Sequence, residues 1–179
     1  FALAGKAYMG VGRNLAYKKR LFENAGGFSS ISHVAGGDDD LFINKVATQT
    51  NTAIVIDPEA FTYSEPKRTW KEWRNQKKRH YSVSKFYRST HKILLGLYSG
   101  SHFLFYALFI FCLVICDPRV VMIVYLIRMF IQAITWSKSM KLLKEEDLFP
   151  YFILWDVFLF VYYIVFAPSL VKKPSQSWN

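Results

Sequence analysis

The sequence predicts an α/β segment followed by an interfacial helix and an α-helical membrane domain of about three spans. The chain is 52% hydrophobic and 18% aromatic, yet it carries a formal net charge of +10. The apolar residues crowd into the part after Ile93, and most of the charge lies before it. This asymmetry is typical of a polar domain joined to a membrane domain, and it excludes both an ordinary soluble domain and a disordered tail.

Residues 1–65 are expected to form the α/β part. Residues 17–25 are compatible with a short helix that Gly26 would end. The β-branched run from Thr52 to Ile56, bounded by Asp57 and Pro58, predicts a buried strand, and residues 61–64 predict a second one. The chain begins without Met or a signal-peptide pattern, so we expect it to be the C-terminal part of a larger protein.

Residues 66–92 are expected to form an amphipathic helix on the membrane surface. Thr69 and Glu72 have the spacing of a capping box, which predicts a helix start. An aromatic stripe then lies beside a basic face. The aromatic stripe is Trp70, Trp73, His80, Tyr81 and Tyr87, and the basic residues are Arg68, Lys71, Arg74, Lys78, Arg79, Lys85 and Arg88. Such a helix suits anionic lipid headgroups, and the hydrophobic segment downstream favours membrane lipids over nucleic acid as its partner.

The membrane domain is expected to cover residues 93–179, with spans at about 94–116, 120–136 and 149–168. The basic cluster before the first span predicts that the preceding domain faces the cytoplasm at the plasma (inner) membrane. Arg128 and Asp156 fall inside two of the spans, at similar depths from the link at residues 137–148 that joins them. Charges at such depth are costly without a partner, so the sequence predicts that these two residues pair, with Gln132 extending the polar stripe.

Three consecutive carboxylates follow a pair of glycines and precede an apolar helical stretch. They are Asp38, Asp39 and Asp40, directly before Leu41. One of them is enough to cap the helix, and this alone is a sufficient structural role. Three adjacent carboxylates repel one another unless a cation, a donor or a proton compensates them, which favours a functional site. From this segment alone, both interpretations stay open.

Four short motifs occur in an order and spacing that resembles the membrane-bound family 2 glycosyltransferases, which include cellulose, chitin and hyaluronan synthases. The motifs are Gly12-Arg13-Asn14-Leu15-Ala16-Tyr17, Gly26-Gly27-Phe28, Gly37-Asp38-Asp39-Asp40-Leu41 and Gln76-Lys77-Lys78-Arg79-His80. The resemblance covers roughly residues 5–92 by motif and the spans by layout. It implies that residues 1–65 are the C-terminal part of a GT-A-type nucleotide-sugar transferase domain.

The resemblance also implies roles for single residues. Matching the acidic pair of the family by its distance to Leu41 puts Asp38 at the position of the catalytic base. A shift of one or two residues in this match would put Asp40 at that position instead. Gln76 and Arg79 match a motif on an interfacial helix that shapes the acceptor and donor-phosphate site. His80 stands where that motif has Trp, which departs from the pattern of a processive polymer synthase.

The expected function is therefore inverting transfer of a sugar from a nucleotide-sugar donor to a glycan or lipid acceptor. The family uses a divalent metal, Mg or Mn, whose ligands lie N-terminal to the catalytic acid. We thus expect the metal in the full-length enzyme, with no ligand in this chain, and we expect the isolated chain to be inactive. The alternative is a non-enzymatic membrane anchor or assembly subunit, in which the acids cap a helix and the basic helix binds lipid.

Overall fold

A computed structural model describes residues 1–34 and 37–171, and the chain it describes is helical. In this part of the chain, 69% of the residues lie in helices and no strand forms. The α-helices are α1 (Lys19–Asn24), α2 (Asp40–Val46), α3 (Trp70–Val83), α4 (Ser89–Ile115), α5 (Pro118–Leu143) and α6 (Phe152–Phe166). Short 3₁₀-helices occur at Ala2–Ala4, Gly12–Asn14, Pro58–Ala60, Ser84–Phe86, Glu146–Tyr151 and Ala167–Leu170.

The prediction of an α/β domain of GT-A type is therefore wrong for the described chain. Residues 52–57 and 61–67 have no regular secondary structure, although their composition favours strands. Val55 is 68% exposed, so the run predicted to be a buried strand is not buried. A strand is stabilised by ladder hydrogen bonds and side-chain pairs with a neighbour, and the described residues supply none. Local β propensity alone does not produce a sheet.

The chain divides into two compact units. One consists of Phe1–Leu94 together with the described residues from Phe166 onward, and the other is Leu95–Val165. In the first unit, the buried face of α2 contributes Leu41 and Phe42 to the core. Short helices pack around this face, and long irregular segments join them.

The local start and stop signals act as the sequence predicts. Gly26 and Gly27 follow α1 with φ of 76° and 58°, a left-handed conformation that glycine adopts without strain. The Thr69 hydroxyl accepts a hydrogen bond from the Glu72 N–H at 3.3 Å, and α3 begins at the next residue, Trp70. These termini depend on chemistry within a few residues, which the sequence contains.

The helix predicted over residues 66–92 is shorter in the structure. It ends at Val83, and Tyr87 lies in an extended conformation before α4 begins at Ser89. The Ser84 hydroxyl donates to the Tyr81 carbonyl at 2.7 Å, a local bond of the kind that competes with helical pairing. The break removes Tyr87 from the predicted aromatic stripe and buries it.

Three helical stretches among the described residues are long and apolar enough to cross a membrane: Ser89–Ile115, Pro118–Leu143 and Glu146–Leu170. This agrees with the three predicted spans and is consistent with a multi-pass membrane protein. The predicted link at 137–148 is shorter than expected, because α5 continues to Leu143 and turns at Lys144, which has φ 58°. The Lys, Ser and Met residues near the end of α5 interrupt its apolar run, but they do not end the helix, because their intrinsic helix propensities are sufficient to continue it.

Candidate functional site

Residues of two of the four motifs pack on the side chain of Phe42, which directly follows the third motif. This ring is 1% exposed and lies in α2, directly after the acidic segment. Tyr17 of the first motif lies 4.7 Å from it between ring centroids, and Phe28 of the second motif lies 6.1 Å away. Phe22 of α1 completes the cluster at 5.6 Å. Aromatic burial of this kind fixes segments that are distant in the sequence against one helix.

The acidic segment is also bonded to the first motif through its backbone. Asp39 is the N-cap of α2, and its Oδ1 accepts the Asp40 N–H at 2.8 Å. Its Oδ2 accepts the Gly12 N–H, also at 2.8 Å. A Cβ on Gly12 would lie 3.1 Å from that same oxygen, so glycine permits the close approach. The structural role weighed for one of the three acids therefore belongs to Asp39.

Asp40 is the buried acid of the three. Its side chain is 1% exposed, and its Oδ2 lies 3.5 Å from Nδ1 of His80, the last residue of the fourth motif. Its Oδ1 is buried and has no hydrogen-bond partner among the described residues. A buried carboxylate oxygen without a donor is costly, so a water, an ion or a functional role has to account for it.

Tyr87 lies beside the same carboxylate, and the sequence did not predict this. Burial raises the pKa of the Tyr87 phenol far above its ordinary range, and the neighbouring Asp40 carboxylate raises it further. Tyr87 therefore stays neutral at any physiological pH. No sequence signal could have placed it here, because its position depends on the break that ends α3 at Val83.

The predicted site residues occupy different environments. Asp38 is exposed, and its carboxylate makes no hydrogen bond or ion pair with the described residues. Gln76, Arg79 and His80 are half-buried on α3. Of the predicted acids, the structure brings Asp40 rather than Asp38 into contact with the fourth motif, through His80.

A second polar residue of α2 fixes the helix to the segment after α3. Asn44 is 3% exposed, and its Nδ2 donates to the Tyr8 carbonyl at 2.8 Å and to His91 Nδ1 at 2.9 Å. Its Oδ1 accepts the Arg88 N–H at 2.8 Å. Because the amide donates to Nδ1, the neutral His91 ring carries its proton on Nε2. These hydrogen bonds fix α2 to the segments that contain Tyr8, Arg88 and His91.

The other unit contains a polar cluster between its long helices. Arg128 Nη1 donates to Asp156 Oδ2 at 2.7 Å, and Nη2 donates to Oδ1 at 3.2 Å. Asp156 is fully buried. Gln132 Nε2 also donates to Oδ1, so the predicted pair and its extension are both present. A two-point Arg–carboxylate contact is among the strongest polar contacts in proteins.

Two residues of α4 complete this cluster, and the sequence analysis missed them. The Tyr106 hydroxyl donates to Asp156 Oδ2 at 2.6 Å, and His102 Nε2 lies 3.0 Å from the Asp156 carbonyl oxygen. His102 and Tyr106 are four residues apart, so they share a helix face. A histidine in an apolar run was the available signal, since polar residues in such runs usually have partners.

In the described part of the chain, no group of three or more His, Cys, Asp or Glu side chains is placed to hold a metal ion.

Comparison of the chain with models of protein families, with curated proteins and with solved structures found no match.

Proposed function

We propose that this chain belongs to a membrane-integrated inverting glycosyltransferase. The enzyme would transfer a sugar from a nucleotide-sugar donor to a glycan or lipid-linked acceptor. The acidic end of α2 and the motif on α3 would form part of its active site. The donor and acceptor are proposed by class, since the residues described above select no particular sugar.

The observation that carries this proposal is the convergence of the four motifs on one helix. Tyr17 and Phe28 pack on Phe42. His80 faces Asp40, which precedes Phe42 by two residues in the chain. The four motifs thus meet at one short helix, α2. Their meeting supports a common site.

The chemistry of sugar transfer matches the residue types found here. An acceptor hydroxyl must lose its proton as it attacks the anomeric carbon, which is the work of a general base. Asp38 is the base by the motif match, and its exposure leaves it accessible to an acceptor. The departing diphosphate carries negative charge, and the planar guanidinium of Arg79 suits phosphate oxygens. A divalent metal would supply further neutralisation in the full-length enzyme.

The site would lie near the bilayer surface. Three helical stretches in the described part of the chain are long and apolar enough to span the bilayer. The basic residues of α3 and the 75% exposed Trp70 would face anionic headgroups. We place the catalytic part on the cytoplasmic side of the plasma (inner) membrane, where the positive-inside rule puts the basic segment.

The proposal is tested with membranes from cells that express the full-length gene product. These membranes are incubated with UDP-glucose, UDP-galactose, UDP-N-acetylglucosamine and GDP-mannose, and release of nucleoside diphosphate is measured. We expect release from one donor together with a labelled glycan or glycolipid product. Background release from every donor, in membranes shown to contain the folded protein, would contradict the proposal.

The rival function is a non-enzymatic anchor or assembly subunit. The capping bonds of Asp39 favour it, because they give one acid a purely structural role. Under this alternative, the protein would bind anionic vesicles through α3 and release no nucleoside diphosphate.

A further inference from the structure

We propose that Asp39 is a positioning residue that aims Asp38, the base of the proposed sugar transfer. The Asp39 carboxylate caps two helices at once, and it thereby fixes the backbone that carries the Asp38 side chain. This inference rests on the proposed function, and in it Asp38 remains the residue that accepts the proton. It gives Asp39 a role in the reaction rate in addition to its role in capping.

The first observation is that the Asp39 carboxylate has two separate partners. Its Oδ1 accepts the Asp40 N–H at 2.8 Å, at the N-terminus of α2. Its Oδ2 accepts the Gly12 N–H at 2.8 Å, from a residue 27 positions away in the chain. Gly12 begins the 3₁₀-helix Gly12–Asn14, whose own N-cap, Val11, offers no side-chain hydrogen bond. One carboxylate therefore caps two helices that are distant in the sequence.

The other aspartate caps in the described part of the chain serve one helix each. Asp57 Oδ1 accepts the Glu59 N–H at 3.0 Å, and Asp117 Oδ1 accepts the Arg119 N–H at 2.8 Å. The second oxygens of these two carboxylates accept no hydrogen bond from the described residues. Capping a helix thus requires one carboxylate oxygen, and Asp39 uses its other oxygen to bind a distant segment.

The second observation is that the Asp38 side chain has no contact that directs it. It is exposed and makes no hydrogen bond or ion pair with the described residues. The direction of its carboxylate therefore depends on its backbone and on its own side-chain torsions. That backbone is held on both sides, because the Gly37 carbonyl accepts the Leu41 N–H at 2.9 Å and Asp39 makes its two bonds. Loss of the bond to Gly12 would loosen one of the two sides.

The third observation is that the segment bound by Asp39 is itself fixed. At the other end of this 3₁₀-helix, Asn14 Nδ2 donates to the Ala60 carbonyl at 3.1 Å. The segment is thus tied to the rest of its unit and cannot simply follow Asp39. A Cβ on Gly12 would lie 3.1 Å from Asp39 Oδ2, so the contact also depends on a glycine at this position.

Small displacements of a general base have large effects on rate. The base has to lie within hydrogen-bond reach of the hydroxyl proton that it accepts, and a misplacement of about 1 Å can cost about 100-fold. An exposed carboxylate on a loosely held turn samples many directions, whereas one on a firmly held backbone samples fewer. The contact between Asp39 and Gly12 should therefore raise kcat, although neither residue has to touch donor or acceptor.

The test uses membranes containing the full-length protein and the donor that gives the highest transfer rate in the panel above. Asp39→Asn keeps the size of the side chain and caps a helix equally well, but it replaces the second oxygen by an amide N–H that cannot accept from Gly12. Gly12→Ala crowds the same bond from the other partner. Asp57→Asn is the matched control, because it makes the same change at an aspartate that caps one helix.

The folded yield and the midpoint of thermal unfolding are measured in detergent for each variant. Asp39→Ser, whose shorter side chain also caps a helix but does not reach Gly12, repeats the test if Asp39→Asn gives a low yield.

We expect Asp39→Asn to lower kcat by about tenfold, with little change in the donor KM or in the unfolding midpoint. The double variant with Gly12→Ala should be no slower than the slower single variant, because both changes remove one bond. In an Asp38→Asn background, Asp39→Asn should lower the rate no further, because a positioning residue acts through the base. Asp57→Asn should keep the wild-type rate.

Wild-type kcat in Asp39→Asn, or a further loss of rate in the Asp38→Asn background, would overturn the inference and leave the proposed function intact. A fall in rate that only matches a fall in folded protein would also overturn it, since Asp39 would then serve stability alone. If the wild-type protein releases no nucleoside diphosphate from any donor, the proposed function fails, and the role of Asp39 in the reaction fails with it.

Discussion

The Arg128 guanidinium holds the Asp156 carboxylate at two points, with Nη1–Oδ2 and Nη2–Oδ1 distances of 2.7 and 3.2 Å. The two residues lie on α5 and α6, and both helices are long and apolar enough to enter a membrane. In such surroundings each charge is tolerated because the other is present. The pair therefore determines which faces of these two helices meet.

Breaking this pair should destabilise the protein strongly. Arg128→Gln leaves the Asp156 carboxylate without its counter-charge, and Asp156→Asn leaves the Arg128 guanidinium without its own. Each change should cost roughly 3–5 kcal/mol of stability. Folded yield in detergent should fall for either single variant, and the exchange Arg128→Asp with Asp156→Arg should recover part of it. Arg119→Gln, at an exposed arginine near the start of α5, is the control. Equal yields for the single variants, or losses that simply add in the exchange, would argue against the contact.

This pair could be predicted from the sequence because the requirement is general: an isolated charge in an apolar run needs a partner. The starts of α2 and α3 could also be predicted, since Asp39 and Thr69 act on amides next to them. Structural features that depend on contacts within one helical turn, or on the cost of burying a charge, can therefore be predicted from the sequence.

The fold class could not be predicted in the same way. Residues 52–56 have the composition of a strand, but a strand also requires a partner, which composition does not reveal. The position of Tyr87 beside Asp40 depends on the helix break at Ser84, where a serine hydroxyl bonds back to a carbonyl. Many serines do not break helices. Local propensity therefore predicts neither whether a sheet forms nor that Tyr87 lies beside Asp40.

The aromatic cluster at the acidic segment should be a main source of stability in its unit. Phe42→Ala removes a fully buried ring that touches Tyr17, Phe22 and Phe28. The expected loss is about 3–5 kcal/mol, measured by thermal or denaturant unfolding in detergent. Phe86→Ala, at a ring that is 43% exposed, should have a much smaller effect. Similar losses for both would mean that Phe42 does not organise the motifs.

The hydrogen bonds of Asn44 should contribute separately from the aromatic cluster. Asn44→Ala leaves the Arg88 N–H and the Tyr8 carbonyl without their partner, at a cost of roughly 1–3 kcal/mol per buried group left unpaired. The midpoint of thermal unfolding should fall, whereas Asn75→Ala, at an exposed asparagine of α3, should leave it nearly unchanged. An unchanged midpoint in Asn44→Ala would show that water replaces these bonds at no cost.

The guanidinium of Arg79 should matter for its shape as well as its charge. Arg79→Lys keeps the positive charge but loses the planar fork that binds two phosphate oxygens, so transfer should fall by about tenfold or more. Membrane insertion should remain normal. Arg74→Lys, on an exposed part of the same helix, is the matched control. Near-native transfer in Arg79→Lys would remove this residue from the site.

The most direct test of the proposed sugar transfer is the initial rate of label transfer from a nucleotide-sugar into product. The rate is compared between wild type and Asp38→Asn in membranes with matched amounts of folded protein. Asp57→Asn serves as control, because Asp57 is an exposed acid that caps a short helix elsewhere. We predict that Asp38→Asn loses about 100-fold of the rate and that Asp57→Asn stays near wild type. Equal rates for wild type and Asp38→Asn would contradict the assignment of the active site to the acidic end of α2.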